Sequence, residues 1–367
     1  MAAQPVIPPA PEINATSFLL IDATTNKVIV EHNANEQNPP ASLTKIMTGY
    51  LAQKEIEAGR ISLEDEVLIS EYAWRKGGSK MFVQEGKRVA VEDLLRGIII
   101  QSGNDASVAI AEHIAGSESA FADMMNQQAA VLRMSNSQFA NATGLPAENH
   151  FSSAWDMAVL TRQLIEEFPE HYGIYSERSF TFNDIEQANR NKLLWRDKTV
   201  DGVKTGFTKE AGYCLVASAT REGMRLISVV MGTESDNARM RESQKLLSYG
   251  FRYFETLTSL YDADVALLNK ELYYGAEDAV ELGVATPVNV TFPRGYYDDI
   301  ETELTVRSIL EAPLDAGQEV GEMTLRLHGK VIYEAPLVTL AAVEEAGMFS
   351  RAIDFIYLFF AELLDSV

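Results

Sequence analysis

Cysteine and histidine are scarce in this chain, which limits the chemistry it can carry. The single cysteine, Cys214, excludes an intramolecular disulfide and is expected to be a small buried residue of the apolar stretch YCLVASA. The five histidines are scattered without a metal-binding spacing, and we expect surface or capping roles for them: His32, His113, His150, His171 and His328. The sequence therefore predicts no metal and no cofactor.

Positive charge and long apolar runs are also lacking. Lysine and arginine number 31 against 53 aspartates and glutamates, and the net charge of -22 disfavours a nucleic-acid partner. No run of about 18 apolar residues is present to span a bilayer as a helix. The opening MAAQPVIPPAPEINATSF lacks the charged and apolar regions of a signal peptide. A mature exported protein given a new start codon would begin in the same way.

Apolar periodicity predicts an α+β protein. Two apolar runs around ATTNK predict a β-hairpin over 17–36, and the stretch over 212–232 predicts a second. Period-3.6 patterns predict helices over 42–59, 91–100, 105–116, 120–134, 152–168 and 238–257. Ser102 or Asn104 is a possible N-cap of the third helix, and Gly116 follows that helix.

Beyond about Thr256 the pattern changes to period two, with a tight turn expected at His328-Gly329. This alternation predicts a small all-β, sandwich-like domain. The expected organisation is an N-terminal tail (1–10), a catalytic domain (11–256), the β-domain (257–345) and a C-terminal amphipathic helix (346–367).

A lysine in PPASLTKIMTGY raises the question of chemistry, because its neighbours are largely apolar. Ser42 and Lys45, three residues apart, lie on one face of the predicted helix. Burial would make the neutral amine of Lys45 accessible, and a neutral amine next to a hydroxyl can activate that hydroxyl as a nucleophile. Ser-x-x-Lys alone is weak, since about one or two copies arise by chance in a chain of this length.

Two further motifs strengthen this interpretation. Ser102-Gly103-Asn104 interrupts two helices, and Lys204-Thr205-Gly206 stands at the front of a β-run. A Lys-Thr-Gly triplet is expected well under once per chain by chance. The order of the three motifs is the active-site set of the penicillin-recognising serine acyltransferases.

The chain resembles the low-molecular-mass penicillin-binding proteins, the D-alanyl-D-alanine carboxypeptidases of the type 5 and 6 group. The resemblance runs from about Pro11 to the C-terminus and includes ASLTKIMT, RGIIIQSGNDASVA, VDGVKTGFT and APLDAGQEVG. It implies a serine β-lactamase/transpeptidase-like domain, in which an antiparallel sheet carries helices on its faces beside a helical subdomain.

The resemblance also implies residue roles. Ser42 would be the acylated nucleophile, Lys45 its base and Ser102 a proton relay. Ser42 and Phe207 would supply main-chain N–H groups to an oxyanion hole. The substrate and its terminal carboxylate would be held by Asn104, Lys204, Thr205, Gly206, Arg239 and Arg190.

Two departures from the family pattern bear on deacylation. Many members carry histidine where this chain has Phe207, so a side-chain role of that histidine is lost while the main-chain N–H remains. The stretch AWRKGGSKMF is shorter than the corresponding loop in some relatives.

The implied function is removal of the terminal D-alanine from peptidoglycan stem peptides, with β-lactams as covalent inhibitors, in the periplasm at the inner membrane. A serine β-lactamase is one alternative, although the β-domain, the tail and the lack of a Glu-x-x-x-Asn element argue against it. A non-catalytic wall-binding or scaffold protein is the other, and the intact motifs argue against that.

The C-terminal segment predicts an amphipathic helix that lies on a membrane surface. On a helical wheel, its polar residues fall within one arc: Arg351, Asp354, Glu362 and Asp365. Much of the rest is apolar: Phe349, Ala352, Ile353, Ile356, Phe359, Phe360, Leu363 and Leu364. Phe355 and Leu358 intrude on the polar side. The alternative is a helix packed on its own domain or on a partner, since its polar face is net acidic.

Overall fold

The structure is a computed structural model that describes residues 7–365, with side chains through residue 359. The chain forms two compact units, one spanning Pro8–Arg252 and one that begins at Tyr253. The side chains of Phe360, Glu362, Leu363, Leu364 and Asp365, on which the helical-wheel prediction partly rests, lie outside the described residues. Part of the expected 1–10 tail lies outside them too.

The first unit combines helices with short and long strands. Its strands are β1 (Ser17–Asp22), β2 (Val28–His32), β3 (Glu66–Leu68), β4 (Arg88–Ala90), β5 (Ser179–Phe182), β6 (Ile185–Ala188), β7 (Val200–Thr208), β8 (Gly212–Arg221) and β9 (Met224–Thr233). Its helices are α1 (Lys45–Glu57), α2 (Glu71–Arg75), α3 (Val91–Ile99), α4 (Asn104–Ala115), α5 (Glu118–Val131), α6 (Ala154–Glu167), α7 (Leu193–Arg196) and α8 (Asp236–Tyr253), which runs into the second unit. Short 3-10 helices span Ala41–Thr44 and His171–Ser176.

The central sheet has five antiparallel strands in the order β2-β1-β9-β8-β7. Both predicted hairpins are confirmed, since β1 pairs with β2 and β8 pairs with β9. All six residues of β1 are buried, as expected for a strand covered on both faces. β7 is an edge strand, so the Lys-Thr-Gly triplet lies at the margin of the sheet, where a substrate backbone can approach it.

The helical prediction is confirmed for the six periodic segments, with two differences at the motifs and one at the end of the last segment, where residues 254–257 belong to a strand and not to the helix. Ser42 lies in a 3-10 turn that precedes α1, not in the first turn of an α-helix. The N-cap of α4 is Gly103, so the expectation of Ser102 or Asn104 there is wrong. Gly116 ends α4 in the left-handed conformation, with φ +79, as a C-terminal glycine is expected to do.

The second unit is the predicted all-β region followed by a helix. Its strands are β10 (Phe254–Tyr261), β11 (Leu268–Glu271), β12 (Ala279–Gly283), β13 (Val288–Pro293), β14 (Ile300–Val306), β15 (Glu319–Leu327) and β16 (Lys330–Thr339). A five-stranded sheet has the order β11-β12-β16-β15-β14, and β10 pairs with β13. His328 and Gly329 both have positive φ and connect β15 to β16, which confirms the predicted turn. A 3-10 helix spans Tyr297–Asp299.

The C-terminal helix α9 (Met348–Asp365) contacts its own unit through its polar side. Asp354 Oδ2 accepts a hydrogen bond of 2.7 Å from the main-chain N–H of Tyr274, and the ring of Tyr357 stacks on Tyr273. Aromatic and aliphatic side chains remain exposed on the helix, among them Phe349, 87% exposed. No helix in residues 7–365 is long and apolar enough to cross a membrane.

Candidate active site

The turn before α1 places a serine against a buried lysine. Ala41 has φ +47, a left-handed conformation that costs energy in a residue with a side chain. The turn leaves the Oγ atom of Ser42 3.1 Å from the Nζ atom of Lys45. Lys45 is only 1% exposed, so the sequence-based expectation of a desolvated lysine is met.

The ammonium or amine of Lys45 is held by oxygen acceptors from distant parts of the chain. Nζ donates to Oδ1 of Asn104 at 2.7 Å and to the main-chain oxygen of Thr143 at 2.5 Å. Burial, followed by the nearby charge of Arg190, lowers the pKa of Lys45 to about 7. At neutral pH a large fraction of Lys45 is therefore neutral and able to accept a proton from Ser42.

Ser102 and Lys204 form a second buried pair. Ser102 is 2% exposed and has φ +61, a strained conformation that is typical of functional sites. Its Oγ accepts a hydrogen bond of 3.0 Å from Nζ of Lys204, which also donates to the main-chain oxygen of Thr205. Burial, together with the charges of Lys45, Arg190 and Arg239, lowers the pKa of Lys204 well below its ordinary value.

A cleft of about 420 Å³ opens beside Ser42 and Asn104, within the usual size of a small-ligand site. Its lining residues are Ser42, Gly78, Ser79, Asn104, Thr143, Gly144, Leu145, Arg190, Phe207 and Thr208. The motifs thus meet at one place, although they are about 60 and 100 residues apart in the chain.

The β7 wall of the cleft depends on a glycine. A Cβ atom at Gly206 would lie 3.0 Å from the main-chain oxygen of Pro40 and 3.2 Å from Cβ of Ala41. The absence of a side chain therefore lets the serine turn pack closely against β7. The next residue, Phe207, is 50% exposed, and its ring packs on Tyr213 with centroids 4.2 Å apart.

The two candidate arginines occupy different environments. Arg190 is exposed and lines the cleft. Arg239 is 6% exposed and, among the described residues, is not part of the cleft lining. Its guanidinium donates to the main-chain oxygen of Gly206 at 2.9 Å and pairs with Asp236. Arg239 thus supports the strand that forms the wall, whereas Arg190 faces the space where a ligand would bind.

Sequence reasoning missed the loop that carries Thr143 and Gly144. Gly144 has φ +80, and a Cβ there would lie 1.8 Å from the main-chain oxygen of Ala41. The loop can therefore approach the serine turn only with glycine at this position. The glycine in NATGLP was the available signal, but a glycine in a loop is too common to identify a site by itself.

His150 corrects the expectation that all five histidines are surface or capping residues. It is 8% exposed, and its Nδ1 accepts from the N–H of Ala140 while Nε2 lies 2.8 Å from Oγ1 of Thr44. Burial lowers the pKa of His150 to about 4, so the ring is neutral at pH 7. The buried position of Cys214 is confirmed. Among the side chains described, residues 7–359, no three His, Cys, Asp or Glu are grouped as a metal site.

Comparison with known families covers both units. Residues 4–235 match the D-alanyl-D-alanine carboxypeptidase family, Peptidase S11. Residues 254–345 match the C-terminal domain of penicillin-binding protein 5. The chain is 44% identical over 365 residues to the D-alanyl-D-alanine carboxypeptidase DacC of Escherichia coli (strain K12), covering 97% of this chain and 91% of that protein.

Solved structures agree with the family match. Penicillin-binding protein 5 from Haemophilus influenzae superposes with a TM-score of 0.89 at 41% identity, covering 93% of this chain and all of that one. Penicillin-binding protein D2 from Listeria monocytogenes, in its ampicillin-bound form, superposes with a TM-score of 0.62 at 29% identity, covering 66% of this chain and all of that one. The predicted fold class is thereby confirmed.

Proposed function

The chain belongs to the D-alanyl-D-alanine carboxypeptidase family, and from this membership we propose that Ser42 is the residue acylated when the enzyme removes the terminal D-alanine of a peptidoglycan stem peptide. The observation that carries the assignment is the 3.1 Å contact between Ser42 Oγ and a Lys45 amine that burial brings to a pKa of about 7.

Acylation begins with transfer of the Ser42 hydroxyl proton to Nζ of Lys45. Oγ then forms a bond to the carbonyl carbon of the penultimate D-alanine. Main-chain N–H groups of Ser42 and Phe207 are the proposed donors to the oxyanion. The bond to the terminal D-alanine breaks, and its amine takes a proton through the hydroxyl of Ser102, which the Lys204 ammonium or amine holds in place.

Deacylation reverses the roles with water as the nucleophile. Water attacks the ester carbon as Nζ of Lys45 takes its proton, and when the ester bond breaks Lys45 returns that proton to Oγ of Ser42. A free carboxylate at the end of the substrate is matched by the cationic side of the cleft. Arg190 faces that space directly, while Lys204 and Thr205 form the wall behind it.

We also propose that the enzyme works in the periplasm, with α9 lying on the outer face of the inner membrane. The support is the exposed apolar surface of α9: Phe349, Ile353, Ile356 and Phe359 are each more than half exposed. The contacts of Asp354 and Tyr357 with the β-unit occupy the polar side of the helix and leave this surface open.

The test uses penicillin and a peptide ending in D-Ala-D-Ala. We expect wild-type protein to gain the mass of one penicillin and to release D-alanine from the peptide. Ser42→Ala should do neither, and Ser62→Ala, at a half-buried serine that bonds to Asp65, is the serine control. Labelling of another residue in Ser42→Ala would contradict the assignment. Rapid penicillin turnover without D-alanine release would indicate a β-lactamase instead.

A further inference from the structure

One wall of the cleft is a segment without regular secondary structure, residues 77–83, which contributes Gly78 and Ser79 to the lining. Phe82 in this segment has φ +71, a left-handed conformation that is rare for a bulky residue. Such a backbone does not hold its shape by local preference, so contacts from outside the segment must impose it.

The carboxylate of Asp105, in the first turn of α4, holds main-chain N–H groups of the segment, while Asn183 and Gln187 donate side-chain hydrogen bonds to two of its main-chain oxygens. Asp105 is fully buried, and its two oxygens accept hydrogen bonds from three successive main-chain N–H groups. The distances are 2.8 Å to Met81, 2.9 Å to Phe82 and 3.3 Å to Val83. Hydrogen bonds to an ionised acceptor are roughly twice as strong as neutral ones, so a buried carboxylate is well suited to fix this backbone.

The residue before Asp105 holds the other end of the same segment. The side-chain Nδ2 of Asn104 donates to the main-chain oxygen of Gly77 at 2.7 Å. The main-chain N–H of Asn104 donates to the main-chain oxygen of Ser79, also at 2.7 Å. The side-chain oxygen of Asn104 accepts from Lys45. A shift of the 77–83 segment would therefore be transmitted to the lysine that activates Ser42.

We propose that Asp105 is a positioning residue of the carboxypeptidase reaction, which fixes the 77–83 segment as the wall of the cleft opposite β7. This inference rests on the proposed function of Ser42 and Lys45. Asp105 does not touch the reacting atoms; it acts through the main chain of residues 81–83 and, beyond them, through Asn104.

The charge of Asp105 has a second consequence at Lys45. The charges of Asp105 and Glu118 raise the pKa of Lys45, opposing burial and Arg190, which lower it. The other ionisable side chains that interact electrostatically with Lys45 are Lys204 and the neutral ring of His150. Neutralising Asp105 therefore lowers the pKa of Lys45 and moves the acidic limb of the acylation rate to lower pH.

The experiment compares Asp105→Asn with Ser107→Ala in the full-length chain. Ser107 is also buried in the first turn of α4, and its hydroxyl bonds to the main-chain oxygen of Gly103, so its loss perturbs the helix without touching the 77–83 segment. Three quantities are measured for both variants: amide hydrogen exchange of residues 81–83, the rate of acylation by penicillin, and the pH profile of that rate.

For Asp105→Asn we expect faster amide exchange at residues 81–83 and a rate of penicillin acylation lowered about tenfold to a hundredfold. The acidic limb of its pH–rate profile should lie at lower pH. Ser107→Ala should keep the wild-type pattern. A folded Asp105→Asn variant with protected amides and rates within about twofold of wild type would overturn the proposal. So would an equal loss in Ser107→Ala.

If Asp105→Asn does not fold, Gly78→Ala tests the same wall from the other side. A Cβ at Gly78 would lie 2.5 Å from Nδ2 of Asn104, so the contact between the segment and the Asn104 side chain must change while Asp105 keeps its charge. We expect a comparable loss of acylation, and wild-type rates in that variant would overturn the proposal. Failure of wild-type protein to be labelled at Ser42 would instead refute the proposed function.

Discussion

At the scale of single residues, burial decides what Lys45 can do. A solvent-exposed lysine is almost wholly protonated at pH 7 and cannot act as a base. Lys45 is 1% exposed, and its pKa is lowered to about 7, mainly by burial and then by Arg190. The amine keeps its hydrogen-bond acceptors Asn104 and Thr143, so it remains in place in either protonation state.

Replacing Lys45 by alanine should lower the rate of penicillin acylation by about two to four orders of magnitude, because the base is lost. In wild-type protein the rate should rise with pH and level off above about 7, since the amine is protonated below its pKa. Intact mass measured against time on both sides of neutral pH checks both expectations. Lys54→Ala, on the same helix, is the control; a loss below about tenfold in Lys45→Ala would require another base.

Substitutions of the two arginines should distinguish recognition of the substrate carboxylate from support of strand β7. Arg190→Ala should slow hydrolysis of a peptide with a free terminal carboxylate about ten- to a hundredfold, because a charged hydrogen bond is lost. An amidated peptide should be affected little by this change. Arg239→Ala should slow both peptides, since it removes the bond to the main-chain oxygen of Gly206. Equal effects of Arg190→Ala on the two peptides would contradict its role in carboxylate binding.

At the scale of elements, the site is built where irregular backbone, including the 77–83 segment, meets a regular edge strand. The serine turn, the Ser102 connection and the Thr143 loop converge on β7, and residues without a side chain allow the closest approaches. A Cβ at Gly144 would lie 1.8 Å from the main chain of the turn, which is impossible without rearrangement, and a Cβ at Gly206 would lie 3.0 Å from it, a tight contact. Regular helices and strands supply the rigid frame that keeps these loops in register.

The helix α9 carries a prediction of its own at this scale. Full-length protein should float with liposomes, and deletion from Gly347 onward should abolish flotation while soluble peptide hydrolysis is kept. Flotation should be insensitive to salt, because the contact is apolar and the helix is net acidic. Ile353→Glu should weaken flotation, whereas Arg351→Gln on the polar side should not. Equal flotation of full-length and truncated protein would show that α9 is only a packing element.

At the scale of the whole molecule, a strongly acidic chain places basic side chains at its candidate site. In a chain with a net charge of -22, three basic side chains lie close together at the site: Lys45 and Lys204 are buried, and Arg190 lines the cleft. This contrast favours a substrate with a free carboxylate near the reacting bond.

His150 should make the free energy of unfolding fall as pH falls below about 6.5. Its pKa is about 4 when folded, because of burial, and about 6.5 in an unfolded chain, so the unfolded state binds the extra proton between these values. The loss should reach about 2 kcal/mol at pH 5 relative to pH 7. Urea unfolding at both pH values, in wild type and His150→Gln, measures it; an unchanged pH dependence in His150→Gln would contradict the assignment.

The sequence by itself determined the chemistry and the elements. Ser42 and Lys45 are three residues apart, so local helical geometry alone brings them together, and apolar periodicity placed the six helices and both hairpins. The tertiary structure decided everything that depends on contacts between distant residues. Thr143 meets Lys45 across 98 residues, and Lys204 meets Ser102 across 102. Sequence patterns record which residues prefer burial, but not which partners they meet there. The partners of Asp105, the burial of His150 and the different positions of Arg190 and Arg239 therefore appear only when the chain is folded.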